Sequence, residues 1–411
     1  MNLNFDFLNK IGKEYYDSFY ILDIKQLKEN FKELQDAFRK IYAESYIAYS
    51  YKTNYIPKVC NAINDLGGYA EIVSDMEYEI AKRIGVDPCK IIFNGPYKNK
   101  SAVKELMLSG GIVNIDSTAE TENIEEIVQQ HPEKIFNLGI RCNFDIGDEV
   151  VSRFGFDVHS SEFANTIHRL RAYSNINFIS VQCHFADRSL ETWYSRTDKM
   201  LNLIENEIPF IPDIIDFGGG LYGKMPCSLK SQFKSNIPSY QDYANTVAKK
   251  FAERFSGSDK KPKLFIEPGS ALVGDIMKFA CKVESIKNIR GKDIATVLGS
   301  IYNINPTLNK KNPPLSVYAS DATERKHYSA LDFGGYTCIE SDYLYRGFNG
   351  ELGVGDYVVF ENVGSYSIVL KPPFILPNFP VVNYDEETGE TELIKNSEKF
   401  DDLFKTYKFV F

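Results

Sequence analysis

A lysine at the end of an apolar, strand-like run is the residue of this sequence most suited to covalent chemistry. Lys52 follows the run Tyr46 to Ser50 after one intervening residue, Tyr51. In a chain that is acidic overall, a lysine in such a place can be desolvated and kept partly neutral, and a neutral amine condenses with an aldehyde. A solvated surface lysine is the alternative interpretation, so the assignment depends on residues further along the chain.

Two further groups of residues could complete a site of this kind. Gly218, Gly219 and Gly220 could bring successive backbone N–H groups close to an anion, because they carry no Cβ atoms, although they also suit a tight turn. Glu267 opens a Glu-Pro-Gly turn and supplies a carboxylate. The glycines form neither a Walker loop nor a dinucleotide fingerprint. An amine, an anion cradle and a carboxylate together predict a phosphorylated aldehyde cofactor, pyridoxal 5′-phosphate (PLP).

Composition limits the classes of partner. The chain has 411 residues, of which 43% are hydrophobic, enough for two or three domains with large cores. Its formal net charge of −9 argues against nucleic acid and anionic membranes, and a small-molecule partner is expected. Seven cysteines without CxxC pairs indicate free thiols and no zinc site. The sequence shows neither a secretory signal pattern nor a membrane-length apolar stretch, which predicts a soluble, cytoplasmic protein.

The segments between residues 40 and 270 alternate strand-like and helical patterns, and these must position the residues above. The predicted strands are Tyr46–Ser50, Ala70–Val73, Lys90–Phe93, Ile112–Ile115, Ile135–Arg141, Phe178–Cys183, Asp213–Phe217 and Lys263–Ile266. Such alternation predicts an α/β fold with a parallel sheet, and eight units favour a closed (β/α)8 TIM-like barrel over residues 26–270. An open doubly wound sheet is the alternative.

The segments after residue 270 have a different pattern. β-Branched and aromatic runs are separated by clusters of Gly, Pro and Asn, which predicts a C-terminal antiparallel β-domain. The strand-like segment Ser18 to Asp23 is expected to pair with it. The second domain is therefore predicted to comprise residues 1–25 and 271–411.

Polar residues follow each predicted barrel strand, where the active sites of such barrels form. They are Lys52, Ser74, Asn94, Asp116, Arg141, His184, Gly218 and Glu267. Strand ends are commonly polar turns, but agreement across eight strands strengthens the prediction of a site at this end.

The ordered set of motifs resembles the fold-type III PLP enzymes, specifically the diaminopimelate and ornithine decarboxylase family with its alanine racemase-like barrel. The matching segments are Tyr49 to Asn54, Gly68 to Ser74, Arg153-Phe154-Gly155, Asp216 to Gly220, Glu267-Pro268-Gly269, Cys338 with Asp342, and Gly364-Ser365-Tyr366. The resemblance covers most of the chain. It implies a PLP-dependent amino-acid decarboxylase.

The resemblance also implies roles for the residues. Lys52 would hold the cofactor covalently, Glu267 would keep its pyridine nitrogen protonated, and His184 would stack on its ring. A protonated ring stabilises the carbanion left by loss of CO2, whereas alanine racemases carry an arginine at this position, so Glu267 favours decarboxylation over racemisation. Cys338 would return a proton to Cα, and its segment reaches the partner's active site in the family, which implies a homodimer with shared sites.

The resemblance also implies further residues that would contact the cofactor or the substrate. The additional cofactor contacts would be Gly218, Gly219, Gly220, Gly269, Ser270 and Tyr366. The substrate contacts would be Arg153, Asn305, Glu340 and Asp342.

Two departures from the family pattern concern the phosphate of the cofactor. Asp187 stands where the family has a phosphate-contacting serine, and two anions about 4 Å apart repel by roughly 4 kcal/mol near a protein surface. Either Arg188 or Ser189 is expected to face the phosphate instead, or the alignment shifts here. Ser270 replaces an arginine that usually follows the Glu-Pro-Gly turn.

Two further departures concern the far end of the substrate. Asn305 replaces the arginine that grips the distal carboxylate in diaminopimelate decarboxylases, and an unpaired buried carboxylate costs several kcal/mol. Ile339 replaces an acidic residue, and Glu340, one position further, would point to the opposite face of a strand. These changes favour an amino acid or amino-acid conjugate other than diaminopimelate, free or carrier-bound, as in siderophore, antibiotic or polyamine-type biosynthesis.

Three alternatives remain open at this point. A PLP-dependent racemase would use a tyrosine base, and tyrosines are frequent between residues 316 and 366. A non-catalytic PLP-binding protein would lack the second domain. A barrel hydrolase would use Asp116 and Glu267 without any PLP.

Overall fold

The computed structural model describes residues 3–319 and 324–410. These residues divide into two compact units. The first contains the described residues of Met1–Leu27, Lys224–Asn236 and Val273–Phe411, and the second consists of Lys28–Gly223 and Ile237–Leu272.

The described residues form eighteen strands and thirteen α-helices. The strands are β1 (Ser18–Leu22), β2 (Ser45–Ser50), β3 (Tyr69–Ile72), β4 (Ile91–Phe93), β5 (Ile112–Ile115), β6 (Phe136–Asn143), β7 (Phe156–Asp157), β8 (Ile176–Phe185), β9 (Ile214–Gly219), β10 (Lys263–Glu267), β11 (Met277–Ile289), β12 (Lys292–Val297), β13 (Leu315–Tyr318), β14 (Lys326–Gly334), β15 (Tyr343–Leu352), β16 (Tyr357–Glu361), β17 (Val381–Tyr384) and β18 (Thr391–Lys395). The helices are α1 (Phe5–Glu14), α2 (Ile24–Arg39), α3 (Pro57–Asp65), α4 (Asp75–Arg83), α5 (Lys100–Leu108), α6 (Thr118–Gln130), α7 (Ser161–Arg171), α8 (Leu190–Asn206), α9 (Cys227–Lys230), α10 (Tyr240–Arg254), α11 (Ser270–Val273), α12 (Ile301–Ile304) and α13 (Phe400–Phe404).

Eight strands of the second unit form a closed parallel barrel. Their order is β2-β3-β4-β5-β6-β8-β9-β10, and β10 pairs back onto β2. Each strand predicted from the sequence overlaps one of these eight. The closed (β/α)8 barrel is therefore confirmed, and the open doubly wound sheet is excluded because the ring has no free edge.

The interior of this barrel changes from apolar to polar along its axis. One apolar cluster contains Ala48, Ile92, Ile112, Ile179, Ile214 and Phe265. Two residues further along five of these strands come the buried polar side chains Ser50, Asn94, Asn114, Asp216 and Glu267. Because residues i and i+2 of a strand share a face, the polar layer lies on the carboxyl side of the apolar layer. The buried polar side chains that could take part in chemistry therefore lie at that end of the barrel interior.

The helices of the barrel begin at polar capping residues. Six side chains accept a backbone N–H of the first turn: Ser74, Asn99, Ser117, Ser160, Ser189 and Ser239. Each cap is worth about 1 kcal/mol, because it satisfies a backbone donor that the helix leaves unpaired. The caps fix where each loop after a barrel strand ends, and so limit the loops that surround the polar layer.

The first unit is built on a mixed sheet. Its longest path runs β15-β14-β12-β11-β1-β17-β18, and β16 pairs with both β11 and β13. The pairing is antiparallel, as the sequence pattern predicts, except between β1 and β17 and between β12 and β14, which are parallel. The apolar residues Leu8, Ile11, Phe19, Ile21, Ala280, Tyr357, Val359 and Val382 form one core cluster of this unit.

Three further observations bear on the class of protein. All seven cysteines are free thiols. Within the described ranges, no helix has the length and apolarity needed to span a membrane. No group of three or more His, Cys, Asp and Glu side chains suited to a metal ion occurs in residues 3–319 and 324–410.

Candidate active site

Lys52 lies in a single 3-10 turn, Tyr51–Thr53, that directly follows β2. Its Nζ atom lies 3.0 and 3.2 Å from the two carboxylate oxygens of Glu71. The Lys52 side chain is 30% exposed, whereas that of Glu71 is fully buried. The amine therefore sits at the rim of the polar layer, held by a carboxylate but open to a reacting molecule.

Glu71 was not identified as a site residue from the sequence. It lies on β3 beside β2, and it accepts hydrogen bonds from Ser50 Oγ and Asn94 Nδ2 in addition to the Lys52 amine. A charged residue inside the short run Tyr69–Ile72 was the available signal, since a strand in a barrel core rarely carries a carboxylate without a partner.

Glu267 ends β10 and is 2% exposed. Asn94 Nδ2 donates to its carboxylate at 2.5 Å, and Gln182 Nε2 lies 3.2 and 3.3 Å from its two oxygens. Burial, and next the negative charge of Glu71, raise the pKa of Glu267 above the ordinary carboxyl value. The carboxylate is thus rigidly held and would gain from a cationic neighbour.

Asp216 is a second residue that the sequence interpretation did not assign. It lies on β9 and is completely buried, and neither of its oxygens accepts a hydrogen bond from a donor of the described residues. Burial and the adjacent Glu267 carboxylate raise the pKa of Asp216 well above its usual value. Because two ionised carboxylates are not readily buried side by side, the Asp216–Glu267 pair shares a proton.

His184 lies near the carboxyl end of β8, opposite Gly218 of β9. Burial, and then the positive charges of Lys52 and Arg141, lower the pKa of His184 well below the usual imidazole value. The ring is therefore neutral at physiological pH. A Cβ atom on Gly218 would lie 2.7 Å from His184 Cδ2 and would also collide with a Glu267 oxygen, so this glycine makes room for both side chains.

The glycine run has no space for side chains. Gly219 has a φ of +134°, which favours glycine, and a Cβ atom on Gly220 would lie 2.6 Å from the carbonyl oxygen of Ala186. The loop backbone is therefore packed closely where Cβ atoms would stand, while Gly219 and Gly220 remain partly exposed. Such a loop suits an anion that is bound by main-chain N–H groups.

Gly269 lies where the turn that contains Lys52 meets the turn that begins at Glu267. A Cβ atom there would lie 3.1 Å from Thr53 Cβ and would overlap Thr53 Oγ1. Ser270 follows directly as the first residue of α11. The turns after β2 and β10 are therefore in contact, which fixes the separation of Lys52 and Glu267.

The Asp187 carboxylate is engaged at the start of α8, not in binding an anion at the glycine run. Its Oδ1 atom accepts hydrogen bonds from Ser189 N at 2.8 Å, Ser189 Oγ at 2.6 Å and Thr192 Oγ1 at 2.7 Å. Partial burial opposes ionisation, but these hydrogen bonds lower the pKa of Asp187 overall. The carboxylate holds the N-cap residue Ser189 and the Thr192 hydroxyl at the start of α8.

Arg153 lies apart from the hydrogen-bonded cluster around Lys52. Its guanidinium stacks on the Phe154 ring at 4.2 Å, and Arg141 stacks on the same ring at 4.7 Å. Arg153 lines a cavity of about 870 Å³ between the loop after β6 and α8. Lys52, His184 and Glu267 do not line this cavity.

The remaining residues predicted for the site belong to the first unit. Cys338 and Glu340 are exposed on the loop between β14 and β15. Asp342 is buried, and its carboxylate accepts from Ser300 Oγ, from the backbone N–H of Ile301 and from Thr337 Oγ1. This carboxylate is fully engaged in shaping the Cys338 loop.

Asn305 and Tyr366 also lie in the first unit. The Asn305 amide donates to the carbonyl oxygen of Asn309 at 2.7 Å and accepts from Asn309 Nδ2 at 2.8 Å and Thr307 Oγ1 at 3.2 Å. Tyr366 has a φ of +65°, a conformation that non-glycine residues rarely adopt and that is often kept at functional sites.

The geometry fits PLP. Lys52 offers an amine, Glu267 and Asp216 hold a proton in a buried acidic pair, and the three glycines carry no side chain that could separate the loop backbone from a bound anion. A closed parallel barrel with this arrangement at its carboxyl end defines a fold-type III PLP-dependent enzyme.

The sequence comparison identifies the family. The family model described as "Pyridoxal-dependent decarboxylase, pyridoxal binding domain" matches residues 25–274. The chain belongs to this family, so the predicted cofactor, PLP, and the predicted class, a carboxy-lyase, are confirmed. It is 27% identical over 411 residues to a probable chloroplastic diaminopimelate decarboxylase of Oryza sativa subsp. japonica, covering 95% of this chain and 79% of that protein. It is 24% identical to the diaminopimelate decarboxylase of Aquifex aeolicus, covering 96% and 92%.

Solved structures agree on the fold. Diaminopimelate decarboxylase from M. jannaschii superposes with a TM-score of 0.85 at 22% identity, covering 98% of this chain and 94% of that one. Lysine decarboxylase from Selenomonas ruminantium superposes with a TM-score of 0.76 at 19% identity, covering 94% and 97%.

Proposed function

We propose that this enzyme removes the α-carboxylate of an amino acid or amino-acid conjugate other than diaminopimelate. When bound, PLP supplies the electron sink for the pair of electrons that the departing CO2 leaves on Cα. The site residues bind, orient and move protons around that chemistry. Lys52 would hold the cofactor through its amine, and the glycines Gly218, Gly219 and Gly220 would receive the phosphate.

Glu267 carries the assignment to decarboxylation. Its buried carboxylate is fixed by Asn94 and Gln182, and it shares a proton with Asp216. An acidic group facing the pyridine nitrogen keeps that nitrogen protonated, which favours a reaction that places negative charge on Cα. A racemase of this fold would require a basic residue there. This single observation favours a decarboxylase over the racemase alternative.

His184 would lie against one face of the cofactor ring. Its neutral imidazole adds no second positive charge beside Lys52, so the attraction between the amine and Glu71 is left intact. Gly218 makes room for the imidazole beside Glu267. The absence of a side chain at Gly218 therefore lets His184 and Glu267 lie next to each other.

Cys338 would return the proton to Cα. Its thiol is exposed on the loop that contains Asp342, and Ser300, Ile301 and Thr337 fix the Asp342 carboxylate, so the thiol can reach a substrate while the loop is held in place. In the family this segment serves the partner's site, and we therefore also propose a homodimer. Cys227, which is also exposed, offers a matched control: Cys338→Ser is expected to lower kcat at least tenfold, whereas Cys227→Ser is expected to leave it unchanged.

Asn305 supports a substrate without the second carboxylate of diaminopimelate. Its amide donates to the carbonyl oxygen of Asn309 and accepts from Thr307 and Asn309, and being neutral it cannot give a distal carboxylate the charge-assisted bidentate pair that an arginine gives. The two sequence relatives named above are diaminopimelate decarboxylases, one of them a probable one, which makes that compound the first to test. We also propose that the barrel domain comprises residues 26–270 and that the β-domain comprises residues 1–25 and 271–411. The proposed location of the enzyme is the cytoplasm.

The test measures CO2 release from meso-diaminopimelate, lysine, ornithine and arginine with PLP-loaded enzyme. Lys52→Ala should abolish release from every substrate, and Lys100→Ala, which removes an exposed lysine of α5, should not. Turnover of meso-diaminopimelate at a kcat/KM above that of the other substrates would refute the substrate proposal. Retention of activity by Lys52→Ala would refute the site.

A further inference from the structure

The anion cradle of this barrel has an unusual charge arrangement. The family's serine is replaced by Asp187 and its arginine by Ser270, so two usual phosphate contacts are absent. The Asp187 carboxylate accepts hydrogen bonds from Ser189 and Thr192 at the start of α8, and it supplies no positive charge for an anion at the glycine loop. A dianionic phosphate would still need a cation nearby.

Arg196 orients the backbone of the two loops that meet here. It is fully buried on α8, and its guanidinium donates to the carbonyl oxygens of Phe185 at 3.2 Å, Gly218 at 3.1 Å and Asp187 at 2.8 Å. The C=O and N–H groups of a trans peptide point in opposite directions. The N–H groups that follow these three carbonyls are therefore turned away from Arg196, toward the opposite side of the loops.

Arg188 lies beside the last glycine of the run. A Cβ atom on Gly220 would lie 2.5 Å from Arg188 Cγ and 3.0 Å from Arg188 Nε, so the arginine side chain crosses directly over this glycine. Its guanidinium stacks on the Tyr222 ring at 5.3 Å, and its carbonyl oxygen accepts from Tyr243 Oη at 2.6 Å. No carboxylate of the described residues forms an ion pair with it. The side chain is thus placed and has its charge available.

We infer that Arg188 is the residue that pairs with the phosphate of PLP in this chain, in place of the serine and arginine contacts of the family. The inference rests on the proposed function, because it assumes that the glycine loop receives the phosphate. Arg196 is a positioning residue in this arrangement: it holds the loop backbone and does not touch the ligand.

The experiment compares PLP with pyridoxal, which has the same aldehyde but no phosphate. Dissociation constants are measured with purified apoprotein by the change in absorbance on binding. Arg188→Gln should raise the Kd for PLP by about tenfold to hundredfold, the size of a lost charge-assisted contact, and should leave the Kd for pyridoxal unchanged. Arg188→Lys, which keeps the charge but loses the planar fork, should fall between Arg188→Gln and wild type.

Arg171→Gln is the matched control. Arg171 is an exposed arginine of the same barrel that stacks on the Phe210 ring at 5.5 Å, so its loss removes an equal charge and an equivalent aromatic contact away from the glycine loop. It should change neither dissociation constant. Inorganic phosphate should compete with PLP for wild type and for Arg171→Gln, and only weakly for Arg188→Gln.

Two outcomes separate the inference from the proposed function. An Arg188→Gln protein that keeps the wild-type ratio of pyridoxal to PLP dissociation constants overturns the inference and leaves the function intact. A wild-type protein that binds neither compound at Lys52, shown by borohydride reduction and peptide mapping, overturns both.

Discussion

Lys371 offers a stringent test of the electrostatics of the first unit. Its amine is buried, lies over the rings of Tyr20 and Phe379, and has no hydrogen-bond partner among the described residues. Burial lowers the pKa of Lys371 from 10.5 to about 7, against the attraction of Glu398. The folded protein therefore carries an amine that loses its proton near neutral pH.

The sign of the resulting pH dependence follows from the lowered pKa. Above pH 7 the unfolded chain still binds a proton at this amine and the folded chain does not, so stability rises with pH through the window from about 7 to 10.5. Between pH 7 and pH 9 this one group should raise the free energy of unfolding by roughly 2 kcal/mol. The slope is about 1.4 kcal/mol per pH unit well above the pKa of the folded protein, and about half of that at the pKa itself.

Urea unfolding of wild type and Lys371→Met at several pH values measures this directly. Methionine keeps the length of the side chain but cannot ionise. From pH 7 to pH 9, the free energy of unfolding of wild type should therefore rise by roughly 2 kcal/mol relative to that of Lys371→Met. Lys326→Met, at an exposed lysine of β14, is the control and should track wild type at every pH. A difference between Lys371→Met and wild type that does not change with pH would show that the amine is charged in the folded state.

Three further predictions concern the site. Glu267→Gln should retain PLP binding by absorbance but lower kcat for CO2 release at least about a hundredfold, since a neutral amide cannot keep the ring nitrogen protonated; wild-type turnover would contradict the role of this carboxylate. Gly218→Ala should weaken PLP binding, because its Cβ would displace His184 or Glu267; an unchanged Kd would show that the loop yields freely. The raised pKa of Asp216 makes the wild-type apoprotein lose stability as pH rises from about 4, and Asp216→Asn should remove that part of the loss in urea titrations; a parallel pH profile would refute the shared proton.

The barrel was predictable because its strands are short and nearly continuously apolar, and because each ends at a polar residue. Lys52, His184 and Glu267 could be placed at one end on that basis alone. Glu71 and Asp216 could not, because their inward direction depends on the strand register and on the twofold alternation of side chains. A shift of one residue would have turned both carboxylates away from the interior.

The orientations of side chains in the loops could not be predicted from the sequence either. The sequence shows that Asp187 is unsuited to contact a phosphate, but its hydrogen bonds to the N-cap residue Ser189 depend on where α8 begins. Asn305 was expected to meet the substrate, and its turn with Asn309 became visible only with the backbone in place. In both residues a short polar side chain satisfies nearby backbone and hydroxyl groups first, and such local competition is hard to infer from residue type.

The pairing of β10 with β2 has a consequence for how this protein is made. The amine at position 52 emerges from the ribosome more than two hundred residues before the acidic group at position 267, and the two turns come into contact only when the last barrel strand docks beside the first. Nascent chains shorter than this length cannot assemble the complete cofactor pocket. Binding of the vitamin-derived coenzyme during synthesis would consequently show that the barrel has closed. A chain truncated before β10 would be unable to retain the coenzyme.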